Sequence, residues 1–236
     1  TVSWGSAGMA ASPADIVARA GGGTSLRAFM PVGSHGLTFL SYARADLGGV
    51  SPRNLSYAAL LDSTFGSYVN SLSAHYRYSE DLVTVWTGRR SFGLLSVGAI
   101  VRAEWDLTSA WEGTPKAPAL SGLVNFTHEI GTAPIWRFGA EYYGSGSDPD
   151  NVAHILSAGL AISNWLPNAW RPGLVWKHSL LDRSGVAEIG FEGPFVPGFR
   201  GTIGFTARYG ARGTYYRPSS SNALGFGLKL AMEFSY

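Results

Sequence analysis

The chain has 236 residues, no cysteine and a formal net charge of +2, with 14% charged residues, 13% aromatic residues and 31 glycines. So small a net charge leaves no electrostatic footprint for nucleic acid. The lack of cysteine excludes disulfides, thiolate metal centres and cysteine nucleophiles. Mean hydropathy is +0.05 and no segment approaches the roughly 20 apolar residues of a membrane helix, yet the charged fraction falls well below the roughly 25% of a soluble domain. No linker divides the chain, so residues 1–236 read as one domain.

Along the chain, Val2–Ala10 is a candidate first strand. Residues 12–20 (SPADIVARA) predict a short helix, with Ser12 as N-cap, Pro13 in its first turn, Asp15 near its positive end and the glycines 21–23 ending it. From there the pattern is period two, the signature of strands with unlike faces. It can be framed over 26–32 and 37–47, and over 68–78, where Tyr68, Leu72, Ala74, Tyr76 and Tyr78 alternate with Ser71, Ser73, His75 and Arg77. Residues 82–90 alternate weakly. Over 95–107, Leu95, Val97, Ala99, Val101, Ala103 and Trp105 oppose Ser96, Gly98, Arg102, Glu104 and Asp106. Segments 120–130, 136–142, 156–162, 174–180, 187–195, 199–212 and 223–236 follow the same rule. No Asp, Glu, Lys or Arg falls on the bulky face of any framed segment. A soluble sandwich would carry its charges on the exposed face and bury the oily one. A lipid-facing surface excludes charge, which costs about 2–4 kcal/mol at mid-depth.

Connections are expected to alternate between tight (33–36, 65–66, 91–92, 131–132, 196–198) and open (48–53, 108–118, 144–150, 213–222). Two fit poorly: 182–184 is short where a long one is due, and 164–170 is long where a short one is due. This divides the chain into thirteen strands after residue 24. A closed bacterial barrel takes an even count, so the expectation is fourteen with Val2–Ala10, or twelve if two of the thirteen are one. Trp105, Trp111, Trp136, Trp165, Trp170, Tyr142 and Tyr236 lie near segment ends, as interfacial girdle residues or as ordinary packing.

The last fourteen residues, ALGFGLKLAMEFSY, place Leu224, Phe226, Leu228, Leu230, Met232, Phe234 and Tyr236 on one side. Alternating hydrophobics ending on a terminal aromatic resemble the C-terminal signature of bacterial outer-membrane β-barrel proteins. The resemblance implies that Leu228, Leu230, Met232, Phe234 and Tyr236 are read by the outer-membrane assembly machinery. It also implies an all-β, closed antiparallel transmembrane barrel in the outer membrane, with lipid as its surroundings and a protein partner or second copy left open. With no signal peptide visible at Thr1, the sequence is either a mature chain or a fragment, such as the membrane domain of a longer chain.

The residues expected to line the lumen are His75, Arg77, Arg102, Glu104, Asp106, Arg137, Glu141, Lys177, Glu188, Glu192, Arg200, Arg208 and Arg212. Both signs occur, so they form either a solute track or a self-neutralising network. Arg200, Arg208 and Arg212 are the best stripe, and Glu188 and Glu192 their expected partners. A rim hydrolase needs His and Ser on one face. His178 and Ser179 are adjacent, and His154 and Ser157 are three apart, so each pair points to opposite faces; His128 and Glu129 fail likewise. No catalytic residue, metal site or cofactor is expected. Three functions stay open: a channel or transporter for small polar solutes, a structural, assembly or export-partner barrel, and an outer-membrane lipid hydrolase.

Overall fold

The structure, a computed structural model, describes residues 25–43, 55–77, 80–146, 152–164, 170–196, 199–217 and 225–234. Among the described residues thirteen strands form one antiparallel sheet in which each pairs with its neighbours in sequence. They are β1 (Ser25–Val32), β2 (His35–Ala43), β3 (Leu55–Phe65), β4 (Tyr68–Arg77), β5 (Asp81–Phe92), β6 (Leu95–Asp106), β7 (Ala119–Ile130), β8 (Ile135–Ser145), β9 (Ala153–Ser163), β10 (Arg171–Ser179), β11 (Gly185–Val196), β12 (Phe199–Tyr209) and β13 (Phe226–Phe234). The expected all-β class is therefore what the chain adopts. Among the described residues β1 and β13 are the edges of the sheet. The helix expected over 12–20, the strand expected over Val2–Ala10, and Trp165 and Tyr236 lie outside the described residues.

One end of the sheet carries tight turns. Gly33, Gly66 and Gly93 each take φ near +60° as the first residue of a two-residue connection. This is the position where a type II′ hairpin requires a positive φ and an L side chain is strained. The turns expected at 65–66 and 91–92 thus sit one and two residues later. The opposite end carries most of the longer connections, although only three residues join β4 to β5 there; the seven-residue connection 164–170 lies at the tight-turn end, as its misfit in the sequence implies. The one after β6 holds a single helical turn, α1 (Leu107–Trp111), with the Asp106 carboxylate accepting from the Ser109 N–H at 3.1 Å as its N-cap. The weakly alternating stretch 82–90 is the full strand β5. The β11–β12 ladder slips between Pro194 and Val196, as expected of a bulge beside a residue that cannot donate to the ladder.

Cross-strand partners share a face, so the registers carry one face assignment across the whole sheet. One face is bulky and apolar: Val97 aligns with Phe126, Leu174 with Ile189, and Phe205 with Leu228. The other, polar face carries the charges. Shelter is distributed in an inverted way. The buried apolar residues Leu40, Ala58, Val85, Leu123, Ile155, Val175 and Val186 all lie on the polar face. The exposed large apolar strand residues lie on the apolar face, Phe29 and Val69 excepted; Phe226 is 78% and Leu230 69% exposed. Among the described residues no second layer of secondary structure covers the sheet.

Candidate functional site

Every lumen candidate within a strand falls on the polar face: His75 and Arg77 on β4, Arg102, Glu104 and Asp106 on β6, Arg137 and Glu141 on β8, Lys177 on β10, Glu188 and Glu192 on β11, Arg200 and Arg208 on β12. Arg212 does not. β12 ends at Tyr209 and Gly210 takes φ +116°, which turns the chain before Arg212 can extend the stripe. The same registers add to this face charges beyond the lumen candidates: Arg27, Asp62, Asp81, Arg89, Glu129 and Arg171, together with Lys229 and Glu233, which the framing of the last strand had already set opposite its bulky side. Parity within a correctly framed strand finds each of them. Among the described residues one charge falls on the apolar face: Arg90, aligned with Tyr68 and Val97 beside the tight turn at 93–94, its guanidinium 4.6 Å above the Phe92 ring. Near the end of its strand this long cationic side chain lies along an aromatic ring.

Strands β4–β8 close several ion pairs on this face, while Arg89 donates to the Ser96 hydroxyl at 2.8 Å and Glu141 aligns with Asn125 and Ser157. Arg77 and Asp81 are direct ladder partners and form a two-pronged ion pair, with Arg77 Nε donating to Asp81 Oδ1 at 2.8 Å; Glu80 adds a second carboxylate at 3.2 Å. Arg102 meets Glu104, two residues along its own strand, at 2.6 Å. Arg137 faces Glu129 across the β7–β8 ladder, with Nη2–Oε1 at 2.5 Å. Asp106 is occupied by the α1 N-cap and by Lys116 at 3.5 Å. His75 is buried on the same face, between ladder partners Ala58 and Val83.

Strands β10–β13 are built differently. Here Lys177 aligns with Val186 and Ser157, Glu188 with Val175 and Thr206, and Lys229 with Gly204, so these three charges face neutral neighbours, whereas at the tight-turn end Arg171 aligns with Glu192 and Arg200 with Glu233. Among the described residues no ion pair joins Arg208 to Glu188 or Glu192; Arg208 aligns with Val186. One register row runs Lys229, Gly204, Gly190, Gly173, Ala161, Arg137 and the next Gly227, Thr206, Glu188, Val175, Gly159, Gly139. The floor between the charges is therefore bare backbone. A recess of about 240 Å³ stands over it, walled by Lys177, Glu188, Glu192 and Lys229, and a second of about 200 Å³ continues past Thr206 and Lys229 to Arg208. The glycines are not demanded by packing: a Cβ on Gly190, Gly204 or Gly227 would meet nothing nearer than 3.6 Å.

At the long-connection end, two turns are clasped together. Asp182 Oδ1 accepts from the Ser184 N–H and hydroxyl at 3.0 and 2.7 Å, and Oδ2 accepts from the Tyr215 N–H at 2.6 Å. Partial desolvation raises this carboxyl's pKa, but hydrogen bonds from Tyr215, Ser184 and Ser179 outweigh it and hold the group down at about 2. The clasp ties 180–184 to 210–217 over the mouth of the recess strands.

Of the C-terminal signature, Leu228 and Leu230 stand exposed on the apolar face, and Met232 and Phe234 continue the same parity along β13. Among the described residues no cluster of three or more metal-ligating side chains occurs. Comparison with family models, with curated proteins and with solved structures finds no match for this chain.

Proposed function

We propose that this chain is a closed transmembrane β-barrel of a bacterial outer membrane, and that it passes small polar solutes through a mixed-charge lumen. The observation that carries the reading is the inverted shelter of the two faces. A sheet whose buried apolar residues lie on the charge-bearing side, and whose exposed large apolar residues lie almost entirely on the other, suits a solvent that is oil outside and water within. Closure follows from the same physics, because unpaired N–H and C=O groups at a sheet edge are untenable in hydrocarbon. The strand expected over Val2–Ala10 would stand between β13 and β1 and make the count even. The recess over β10–β13 is then the permeation surface, with Lys177, Glu188, Lys229 and Arg208 meeting the solute.

The test is single-channel recording in a planar bilayer with the refolded protein. Discrete conductance steps are expected, reduced by Gly204→Leu, which fills the recess over a floor that has room for it. Folded, inserted protein without conductance would overturn the channel reading. It would favour a structural, assembly or export-partner barrel, which the ion-paired β4–β8 sector suits. The hydrolase alternative has no support in the geometry: His178 lies on the apolar face, and Ser179 is buried on the other.

A further inference from the structure

The apolar face is not uniform. At the long-connection end of β8–β12 it carries two histidines, each held by a tyrosine. Tyr142 Oη and His154 Nδ1 are 2.6 Å apart with their rings stacked at 6.1 Å. Tyr209 Oη lies 2.8 Å from His178 Nδ1 and 2.9 Å from Trp176 Nε1, and the Trp176, His178 and Tyr209 rings stack in sequence. Tyr209 reaches β10 by lying across β11 at Gly185, where a Cβ would overlap its ring at 2.3 Å. Only glycine admits this crossing.

The hydrogen bonds fix where the imidazole proton sits. An indole N–H only donates, so Trp176 donates to the Tyr209 oxygen. The Tyr209 hydroxyl proton, on a face otherwise apolar, then has His178 Nδ1 as its acceptor, which leaves His178 protonated at Nε2. Tyr142 and His154 make the same hydroxyl–Nδ1 contact, which with the hydroxyl as donor leaves His154 protonated at Nε2 as well. The Leu180 N–H donates to the His154 carbonyl at 2.8 Å, and His178 aligns with Leu156. The two histidines are therefore diagonal neighbours, about 7–8 Å apart. Two Nε2–H donors thus stand side by side, turned away from their tyrosines, at the end of an oily band. Among the described residues no carboxylate from β8 to β12 shares that face. Arg183 is exposed in the turn that continues from β10. Acyl chains offer such donors nothing to bond, whereas the phosphate oxygens of a headgroup do.

We propose that His154 and His178, with the exposed Arg183 in the connection that follows β10, form a seat for the phosphate of a lipid headgroup on the outer wall of the barrel. The proposal rests on the membrane reading above. Wild type and the double variant His154→Phe/His178→Phe, which keeps the aromatic bulk, are reconstituted in nanodiscs containing phosphatidylglycerol and diacylglycerol in equal parts. The lipids retained on release are then counted by native mass spectrometry. Wild type should retain phosphatidylglycerol over diacylglycerol, with about five- to ten-fold less retention in the double variant, the equivalent of one net hydrogen bond. Tyr209→Phe should fall between them. Excess inorganic phosphate should not displace the lipid; displacement would assign the donors to free phosphate and overturn the lipid seat. Equal retention by wild type and the double variant, or equal retention of diacylglycerol, would also overturn it. Matching thermal unfolding of the variants shows that folding is not the cause. Flotation of wild type with vesicles separates the two readings: failure to float sinks both, while insertion without phosphate preference sinks only this one.

Discussion

The polar face of β4–β8 and the middle of that of β10–β13 are made from the same residue types but bring their charges together differently. In β4–β8, Arg77 meets Asp81 and Arg137 meets Glu129 as direct ladder partners, while Arg102 and Glu104 stand two apart on one strand; all three pairs close. In β10–β13, Glu188 aligns with Val175 and Thr206, and Lys229 with Gly204. The difference is a matter of register. Direct partners lie about 5 Å apart and diagonal ones about 7–8 Å, so Arg77 and Asp81 pair directly while Lys177, Glu188 and Lys229 have no charged direct partner; in the same sector Arg171 and Glu192, and Arg200 and Glu233, do align at the tight-turn end. Gly173, Gly190 and Gly204 leave bare backbone in the row that ends on Lys229.

The largest effect tests what the sectors share. Ala99→Arg on β6 and Ile203→Arg on β12 both place a charge on the apolar face, and each should cost about 2–4 kcal/mol if it lies near mid-depth. Reversible unfolding in lipid measures it. Tolerance in one sector alone would show that the two do not face the same solvent.

Next in size is the contrast within the polar face. Arg77→Ala leaves the buried Asp81 without its two-pronged partner and should cost about 1–3 kcal/mol. Lys229→Met removes a charge that faces glycine and should cost no more than about 0.5 kcal/mol, as for a substitution away from any specific partner. Reversal potentials under a salt gradient should behave inversely: moved toward cations by Lys229→Met, nearly unmoved by Arg77→Ala. A stability loss in both variants of equal size would erase the distinction between sectors.

Gly204→Leu sharpens the picture of the recess. The new side chain has open space and suits a strand better than glycine, so stability should change by less than about 1 kcal/mol while conductance falls. A large destabilisation would mean the floor is a packing requirement after all.

The smallest effect concerns the clasp above the recess. Asp182 is held at about 2 against an ordinary 3.8. Because its folded pKa is depressed, its contribution is present above the ordinary value and is lost as pH falls from about 3.8 through about 2. Unfolding of Asp182→Asn should be less pH-dependent in that window, and protease cleavage within 210–217 should rise. An unchanged acid limb would remove the clasp from the stability of this mouth.

The sequence by itself determined the strands and their faces, because side-chain alternation is a local property of an extended chain. Parity alone sends Leu95, Val97 and Ala99 one way and Arg102 and Glu104 the other, and every lumen candidate inside a strand kept its side. It failed where the local composition is inverted. β5 carries Thr84, Gly88 and Arg90 on the apolar face and Val83 and Val85 on the polar one, so only its ladders to β4 and β6 declare its sides. It overran at Arg212, because a strand's end is set by where the chain turns, here at Gly210. The tertiary structure alone decided which charges meet. Whether Arg208 faces Glu188 or Val186 depends on the stagger between β11 and β12, which a bulge at Pro194 shifts and which no single strand encodes. The same stagger brought glycines from separate strands into one row, and laid Tyr209 across Gly185 to reach His178 two strands away.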